Sequence, residues 1–173
     1  RVGQIGTGST GIQAAPVIAE TAAHLTVFQR TANYSVPARN GPLSGEFQQY
    51  VKNNTAEIRR IMHSTPNGHP FTISDRLALE TSPAERLAIY EAAWEKGGLQ
   101  FRGTFRDLLM DKAANDTAAT FLCDKIRAIV KDPKTAAMLA DIDHPYAAKR
   151  PPIDTHYFET FNRENVTLVD VKA

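Results

Sequence analysis

The sequence predicts an α/β fold: a parallel sheet with a helical subdomain inserted into it. Three observations predict it. A short apolar run through Val2 and Ile5 leads straight into Gly6-Thr7-Gly8-Ser9-Thr10-Gly11, the way a strand hands over to a helix through a tight turn. His24-Leu25-Thr26-Val27-Phe28 then restores strand character with β-branched and aromatic residues. From Gly45 to Leu139 apolar residues recur at helical spacing instead, before a last strand-like run, Val166-Thr167-Leu168-Val169-Asp170-Val171.

The first strand, glycine turn, helix and second strand make a βαβ unit of about 30 residues, the start of a Rossmann-like sheet. Its helix carries Ile12, Ala15, Ile18 and Ala19. Thr10 and Gln13 have capping-box spacing. Pro16 cannot donate a helix bond and predicts a kink or a shortened helix. In the middle region Phe47, Tyr50, Val51, Asn54, Ile58 and Ile61 share a helical face, with Lys52, Glu57, Arg59 and Arg60 off it. Ser82-Pro83-Ala84-Glu85 is a helix start, and the helix carrying Leu87, Tyr90 and Trp94 stops at Gly97-Gly98. Phe101, Phe105, Leu108 and Leu109 predict another helix, and they read as core rather than as a substrate box. Asp116 is placed to cap a helix with Leu122, Ile126, Ile129 and Val130, and Asp132-Pro133 to end it and start a short last one. So many helices exceed a simple crossover between two strands. Residues from about 45 to 140 are therefore expected to be an insertion in a single domain spanning 1–173.

With 173 residues, 42% of them hydrophobic and 23% charged, the chain suits one domain with a real core. A formal net charge of +1 gives no reason to expect nucleic acid or an anionic membrane as partner. No apolar run reaches the ~18 residues of a membrane span. The single cysteine, Cys123, excludes an internal disulfide and fits a reducing, cytoplasmic setting. The sequons at Asn33, Asn53, Asn115 and Asn165 read as chance matches where no leader segment opens the chain. With no initiator Met, and a strand from the outset, we expect a piece of a longer protein.

G-x-G-x-x-G carries weight only between a strand and a helix, which is its context here. Gly6 permits the tight turn, Gly8 lets backbone approach a pyrophosphate, and Gly11 lets the helix lie close to the strand. The helix N-terminus offers free N–H groups and partial positive charge to phosphates. An ordinary glycine-rich turn is the alternative. The second strand then selects the cofactor. An NAD site places Asp or Glu about 20 residues on, to bond the ribose 2′-hydroxyl. No acidic residue lies between Glu20 and Glu46, and the strand ends in Gln29-Arg30-Thr31. Arginine pairs bidentately with a 2′-phosphate, and a threonine hydroxyl adds a hydrogen bond. NADP(H) is therefore expected over NAD(H); a solvated strand-end arginine is the alternative.

Lys149-Arg150-Pro151-Pro152 is the second candidate site. Proline keeps the residue before it out of the helical region, so this stretch is extended. Adjacent side chains then point to opposite sides, and Lys149 and Arg150 can serve two different anions. A solvated basic loop would read the same way.

Taken together, Gly6-Thr7-Gly8-Ser9-Thr10-Gly11-Ile12-Gln13, Val27-Phe28-Gln29-Arg30-Thr31 and Asn33-Tyr34-Ser35-Val36-Pro37-Ala38-Arg39-Asn40 resemble the NADPH-binding domain of flavin-dependent Baeyer–Villiger monooxygenases of the cyclohexanone and phenylacetone monooxygenase type. Ala113-Ala114-Asn115, Lys125-Ile126-Arg127, Val130-Lys131-Asp132-Pro133, Lys149-Arg150-Pro151-Pro152 and Phe161-Asn162-Arg163-Glu164-Asn165-Val166 continue the likeness in family order. The resemblance implies that Arg30, Thr31 and Lys149 hold the 2′-phosphate. It implies that Gly6, Thr7, Gly8, Ser9, Thr10, Gly11 and Gln13 lie along the pyrophosphate. Arg150 would be the active-site arginine that faces the flavin and stabilises negative charge developing there. The complete enzyme would use NADPH, FAD and O₂ to insert one oxygen beside a ketone, giving an ester or lactone. Ala32, where many members have proline, and residues 138–143 depart from the family pattern. There is no second glycine fingerprint for FAD and no F-x-G-x-x-x-H-x-x-x-W/P fingerprint. We therefore expect these residues alone to bind no flavin and to catalyse nothing, and the FAD-binding domain to be the missing partner.

Other constellations read as bland. Asp141, Asp143 and His144 match no metal-ligand spacing and read as a polar loop, so no metal is expected. His63 and His69 flank a turn at Pro66-Asn67-Gly68 and read as exposed. Cys123 reads as buried and inert. Two other readings stay open: a nucleotide-binding module of an N-hydroxylating or flavin-containing monooxygenase, and a free-standing NADP(H)-binding domain without chemistry.

Overall fold

The computed structural model describes residues 1–65 and 68–172. Their elements are β1 (Val2–Ile5), α1 (Ser9–Thr21), β2 (Leu25–Gln29), β3 (Val36–Pro37), α2 (Gly45–Asn53), α3 (Thr55–Ser64), α4 (Pro83–Lys96), a 3₁₀ segment (Gly98–Gly103), α5 (Lys112–Ile129), α6 (Pro133–Ala140), β4 (Ile153–Asp154), α7 (Tyr157–Thr160) and β5 (Val166–Asp170). The fold is α/β. β1, β2 and β5 form a parallel sheet in that order, and β3 pairs with β4 in a second, two-stranded parallel sheet.

Burial alternates along β2, with Leu25, Val27 and Gln29 buried and Thr26 and Phe28 half-buried. The buried set packs with Ile12, Ala15 and Ala19 of α1 and with Tyr157, Phe158 and Phe161 around α7. The opposite sheet face is open: Ile5 is 90% exposed and Val171 45%. The apolar run of the first strand thus does not lie in a core within these residues.

Several helix signals act as the sequence implies. Ser82 caps α4 by accepting from the Glu85 N–H, with Pro83 in the first turn, and the helix ends at Gly97. Asp132 caps α6 by accepting from Thr135, with Pro133 following.

Others are corrected. α1 runs through Pro16 for 13 residues without shortening, and its N-cap is Gly8 rather than Thr10. Proline in a helix interior costs about 3 kcal/mol. The buried face of Ile12, Ala15 and Ala19 offsets it, since a fully buried large aliphatic side chain alone contributes about 1.5–3 kcal/mol. The face from Phe47 to Ile61 is split between α2 and α3 around Asn54, which ends one helix and caps the next, and neither helix buries a residue. α5 starts at Lys112 because Asp111 accepts from the Ala114 N–H, which places Asp116 inside the helix. Phe101, Phe105 and Leu108 are core residues carried by the 3₁₀ segment and the turns after it, not by an α-helix, and Leu109 points to solvent. Leu87 is exposed as well, on the outer side of α4. His69 is half-buried and stacks on Phe71 at 4.8 Å, while His63 is exposed. Burial pushes the His69 pKa down, helped by the Arg102 charge. Pro66 and Asn67 of the turn between them lie outside the described residues.

Candidate nucleotide-binding groove

The glycine turn has the geometry that its sequence requires. Gly6 has φ +96°, a conformation that side-chain-bearing residues rarely adopt. A Cβ on Gly11 would sit 2.4 Å from the Gly6 carbonyl oxygen, so only glycine lets α1 start this close to the end of β1. A Cβ on Gly8 would meet nothing within 4 Å, which leaves open space before the turn. No side chain caps α1 at Gly8, so the first N–H groups of the helix stay available to a ligand. Gln4 braces the turn by donating from Nε2 to the carbonyls of Gly6 (3.3 Å) and Gly11 (3.1 Å). Thr7 ties it to the end of β2 by donating to the Thr31 carbonyl at 2.8 Å.

A groove of roughly 480 Å³ opens over this turn. Gly6, Thr7, Gly8, Arg30, Thr31 and Lys149 all line it, so six of the predicted residues converge although Lys149 lies far along the chain. Arg30 is exposed and, among the described residues, forms no ion pair. Ser9, Thr10 and Gln13 line a separate shallow hollow on the outer side of α1, and Gly11 packs beneath Gly6. Arg150 is exposed beside Lys149 and lines neither recess. Ile5, Phe28, Ala32, Asn33 and Val171 complete the groove. Sequence reasoning passed over these because none carries an ionic signal.

The loop carrying Lys149 is held from two sides. Asn115 of α5, buried, donates to the carbonyls of Leu108 (2.8 Å) and Tyr146 (2.9 Å) and accepts from the Tyr146 N–H (2.8 Å). From the sheet side, Val36 N–H donates to the Pro152 carbonyl and Ala38 N–H to that of Asp154. The Ser35 hydroxyl donates to the Asp154 carboxylate, which also accepts from the Tyr157 N–H at 3.1 Å. Burial pushes the Asp154 pKa up, against the pull of those two hydrogen bonds. Between these anchors Ala147 takes φ +64°, a strained left-handed conformation two residues before Lys149.

The Asp141–His144 stretch is more ordered than a bland polar loop. Asp141 pairs with Lys172 at 2.7 Å, and His144 bridges Asp143 and Asn33. Among the described residues no group of three or more His, Cys, Asp or Glu side chains is placed to hold a metal. Cys123 is half-buried rather than fully buried; burial pushes its pKa up, and its Sγ lies 3.6 Å from the Ala140 carbonyl. No helix among the described residues is long and apolar enough to cross a membrane.

No protein-family model matches the chain. A solved structure of an oxidised steroid monooxygenase bound to NADP is 51% identical, with a TM-score of 0.94, over 99% of this chain and 33% of that one. Over its whole length this chain is homologous to Baeyer–Villiger monooxygenases. The cyclohexanone 1,2-monooxygenase of an Acinetobacter species is 45% identical over 100% of this chain and 32% of its own. A phenazine N-monooxygenase of Lysobacter antibioticus is 43% identical over 99% of this chain and 32% of its own. The chain thus spans about a third of the length of the relatives it matches.

Proposed function

We propose that residues 1–173 are the NADP(H)-binding domain of a flavin-dependent Baeyer–Villiger monooxygenase, with residues of about 45–140 as its helical insertion. The whole protein would insert one atom of O₂ beside a ketone carbonyl to give an ester or lactone. The observation that carries this reading is the convergence of Gly6, Thr7, Gly8, Arg30, Thr31 and Lys149 on one groove.

The residues fit NADP(H). The uncapped start of α1 offers N–H groups from Ser9, Thr10 and Gly11 to the pyrophosphate, and Gly8 leaves room for it to approach. Gln13, one turn further along α1, would contact the same part of the cofactor from its outer side. Arg30, Thr31 and Lys149 would take the 2′-phosphate, where an NAD site would present a carboxylate. Arg150, next to Lys149 and just before the buried Pro151 and Pro152, would carry its charge to the reacting centre and stabilise negative charge developing there. FAD, when bound, supplies the oxygen-transfer chemistry. No residue here is assigned to it, because the sequence holds no second glycine fingerprint. We assign it to a further domain, which the open sheet face at Ile5 and Val171 would meet. A ketone and O₂ are the expected substrates.

The test is product analysis of the complete, FAD-loaded protein that contains these residues, with NADPH, labelled O₂ and cyclohexanone or cyclopentanone. A lactone carrying one labelled oxygen supports the reading, and Arg150→Ala should cut its formation about 100-fold or more while NADPH still binds. The phenazine N-monooxygenase relative favours a second reading, oxygenation of a ring nitrogen. An N-oxide from phenazine, with no lactone from either ketone, would decide for it.

A further inference from the structure

We infer that Asp143 and His144 are positioning residues that set the place of Lys149 at the groove; this rests on the NADP(H) reading above. His144 lies between the two segments that form the groove. Its Nδ1 donates to Asp143 Oδ1 at 3.1 Å, since a carboxylate can only accept, and its Nε2 meets Asn33 Oδ1 at 3.2 Å. The His144 side chain is only 9% exposed, so its ring is shielded from water, while the Asp143 carboxylate at its end is exposed. Its ring also stands edge-on to Tyr34 at 5.6 Å, and the Tyr34 hydroxyl donates to the His144 carbonyl at 3.2 Å. Residues 143–144 are therefore clamped to Asn33 and Tyr34, just past Arg30 and Thr31.

The far end of the clamp is the carboxylate of Asp143, whose Oδ1 lies 4.0 Å from the Lys149 ammonium. Asn33 and Lys149 both line the groove, so the relay Asn33–His144–Asp143–Lys149 begins and ends at residues that border it. The His144 hydrogen bond, with Lys149 and Lys172 nearby, holds the Asp143 carboxyl below the usual carboxylate range. Lysine is a flexible point charge that loses much rotamer freedom when fixed, so a partner that directs it before the ligand arrives lowers the cost of binding. A free carboxylate at the same place would repel a 2′-phosphate. His144 fixes the Asp143 carboxylate 4.0 Å from the Lys149 ammonium, so its charge is already engaged with the lysine.

The test measures NADPH and NADH affinity by calorimetry for the wild-type protein, Asp143→Asn, His144→Phe, Lys149→Ala and the Asp143→Asn/Lys149→Ala double variant. Asparagine keeps the shape and removes the charge, and phenylalanine keeps a ring against Tyr34 and removes both ring nitrogens. The expected result is NADPH binding about 3- to 5-fold weaker in Asp143→Asn and His144→Phe, the size of an exposed ion pair, with NADH binding unchanged. Asp143→Asn should have no further effect once Lys149 is alanine. A purely structural role would weaken both nucleotides and would persist in the Lys149→Ala background. Unchanged or tighter NADPH binding in Asp143→Asn overturns the inference alone, and a wild-type protein with no NADPH preference overturns the groove assignment with it.

Discussion

The two hydrophobic clusters of the molecule differ in how much of their volume is aromatic. Under the sheet the core takes small or aliphatic residues from α1 and β2, Ile12, Ala15, Ala19, Leu25 and Val27, with Tyr157, Phe158 and Phe161 around α7 closing it. Among the helices it is aromatic, with Tyr90, Trp94, Phe101, Phe105, Phe121 and Tyr146 in mutual contact. The first region works by close approach: α1 starts against the end of β1, where Gly11 lies directly beneath the Gly6 carbonyl. The second works by volume, and its polar contribution to the groove is Asn115, which fixes Tyr146 ahead of Lys149. The sheet region should therefore suffer most from added atoms, and the helical region from removed ones.

The largest expected effect is in the helical region. Phe101 has no exposed surface, stacks on Tyr90 and Phe121, and meets Tyr146 edge-on. Phe101→Ala should cost about 3–5 kcal/mol in chemical unfolding. A loss below about 1 kcal/mol would mean that the aromatic cluster is not the core of that region. In the sheet region the smallest possible addition is the sharper probe. Gly11→Ala forces a methyl against the Gly6 carbonyl and should cost about 1–3 kcal/mol, although alanine is the better helix former. Gly8→Ala meets open space, should cost only the poorer N-cap, about 0.5–1 kcal/mol, and should weaken NADPH binding. Equal stability losses at the two positions would refute the division of labour within the turn.

The seam between the regions carries the smallest effect. Asp154 accepts from Ser35, next to the aromatic cluster among the helices, and from Tyr157 of the cluster under the sheet. Burial raises its folded pKa above the ordinary 3.8. Between that value and the folded pKa the native state holds more protons than the unfolded chain, so stability falls as pH rises through the window. Denaturation of the wild type and Asp154→Asn across pH 3.5–7 (about that range) should show the wild type losing ground to the variant on the way up. A difference that is flat with pH would contradict the burial argument.

Much of this was legible in the sequence because it rests on local rules. The glycine turn, the Ser82-Pro83 and Asp132-Pro133 starts and the Gln29-Arg30-Thr31 strand end each need only neighbouring residues. What escaped depends on competition or on contact at a distance. Asp111 and Asp116 are both competent caps, and the helix takes the earlier one because burial of Ala114, Asn115 and Ala118 extends the core face toward it. Leu87 and Leu109 fit a helical stripe in sequence but turn outward, since the aromatic residues already fill the interior. Asp143 and His144 looked like an ordinary polar loop because their partners, Asn33 and Tyr34, lie more than a hundred residues away. Arg30 was identified from charge alone, and its convergence with Lys149 depends on the β3–β4 pairing, which two-residue strands do not announce.

The central claim is that the groove selects a 2′-phosphate through Arg30. The most direct test is parallel calorimetric titration of the wild-type protein and Arg30→Ala with NADPH and NADH. The account predicts NADPH at least about 10-fold tighter than NADH, a gap of about 1.4 kcal/mol, and loss of that gap in Arg30→Ala with NADH binding unchanged. Equal wild-type affinity for the two nucleotides, or a preference that survives the loss of Arg30, would contradict it.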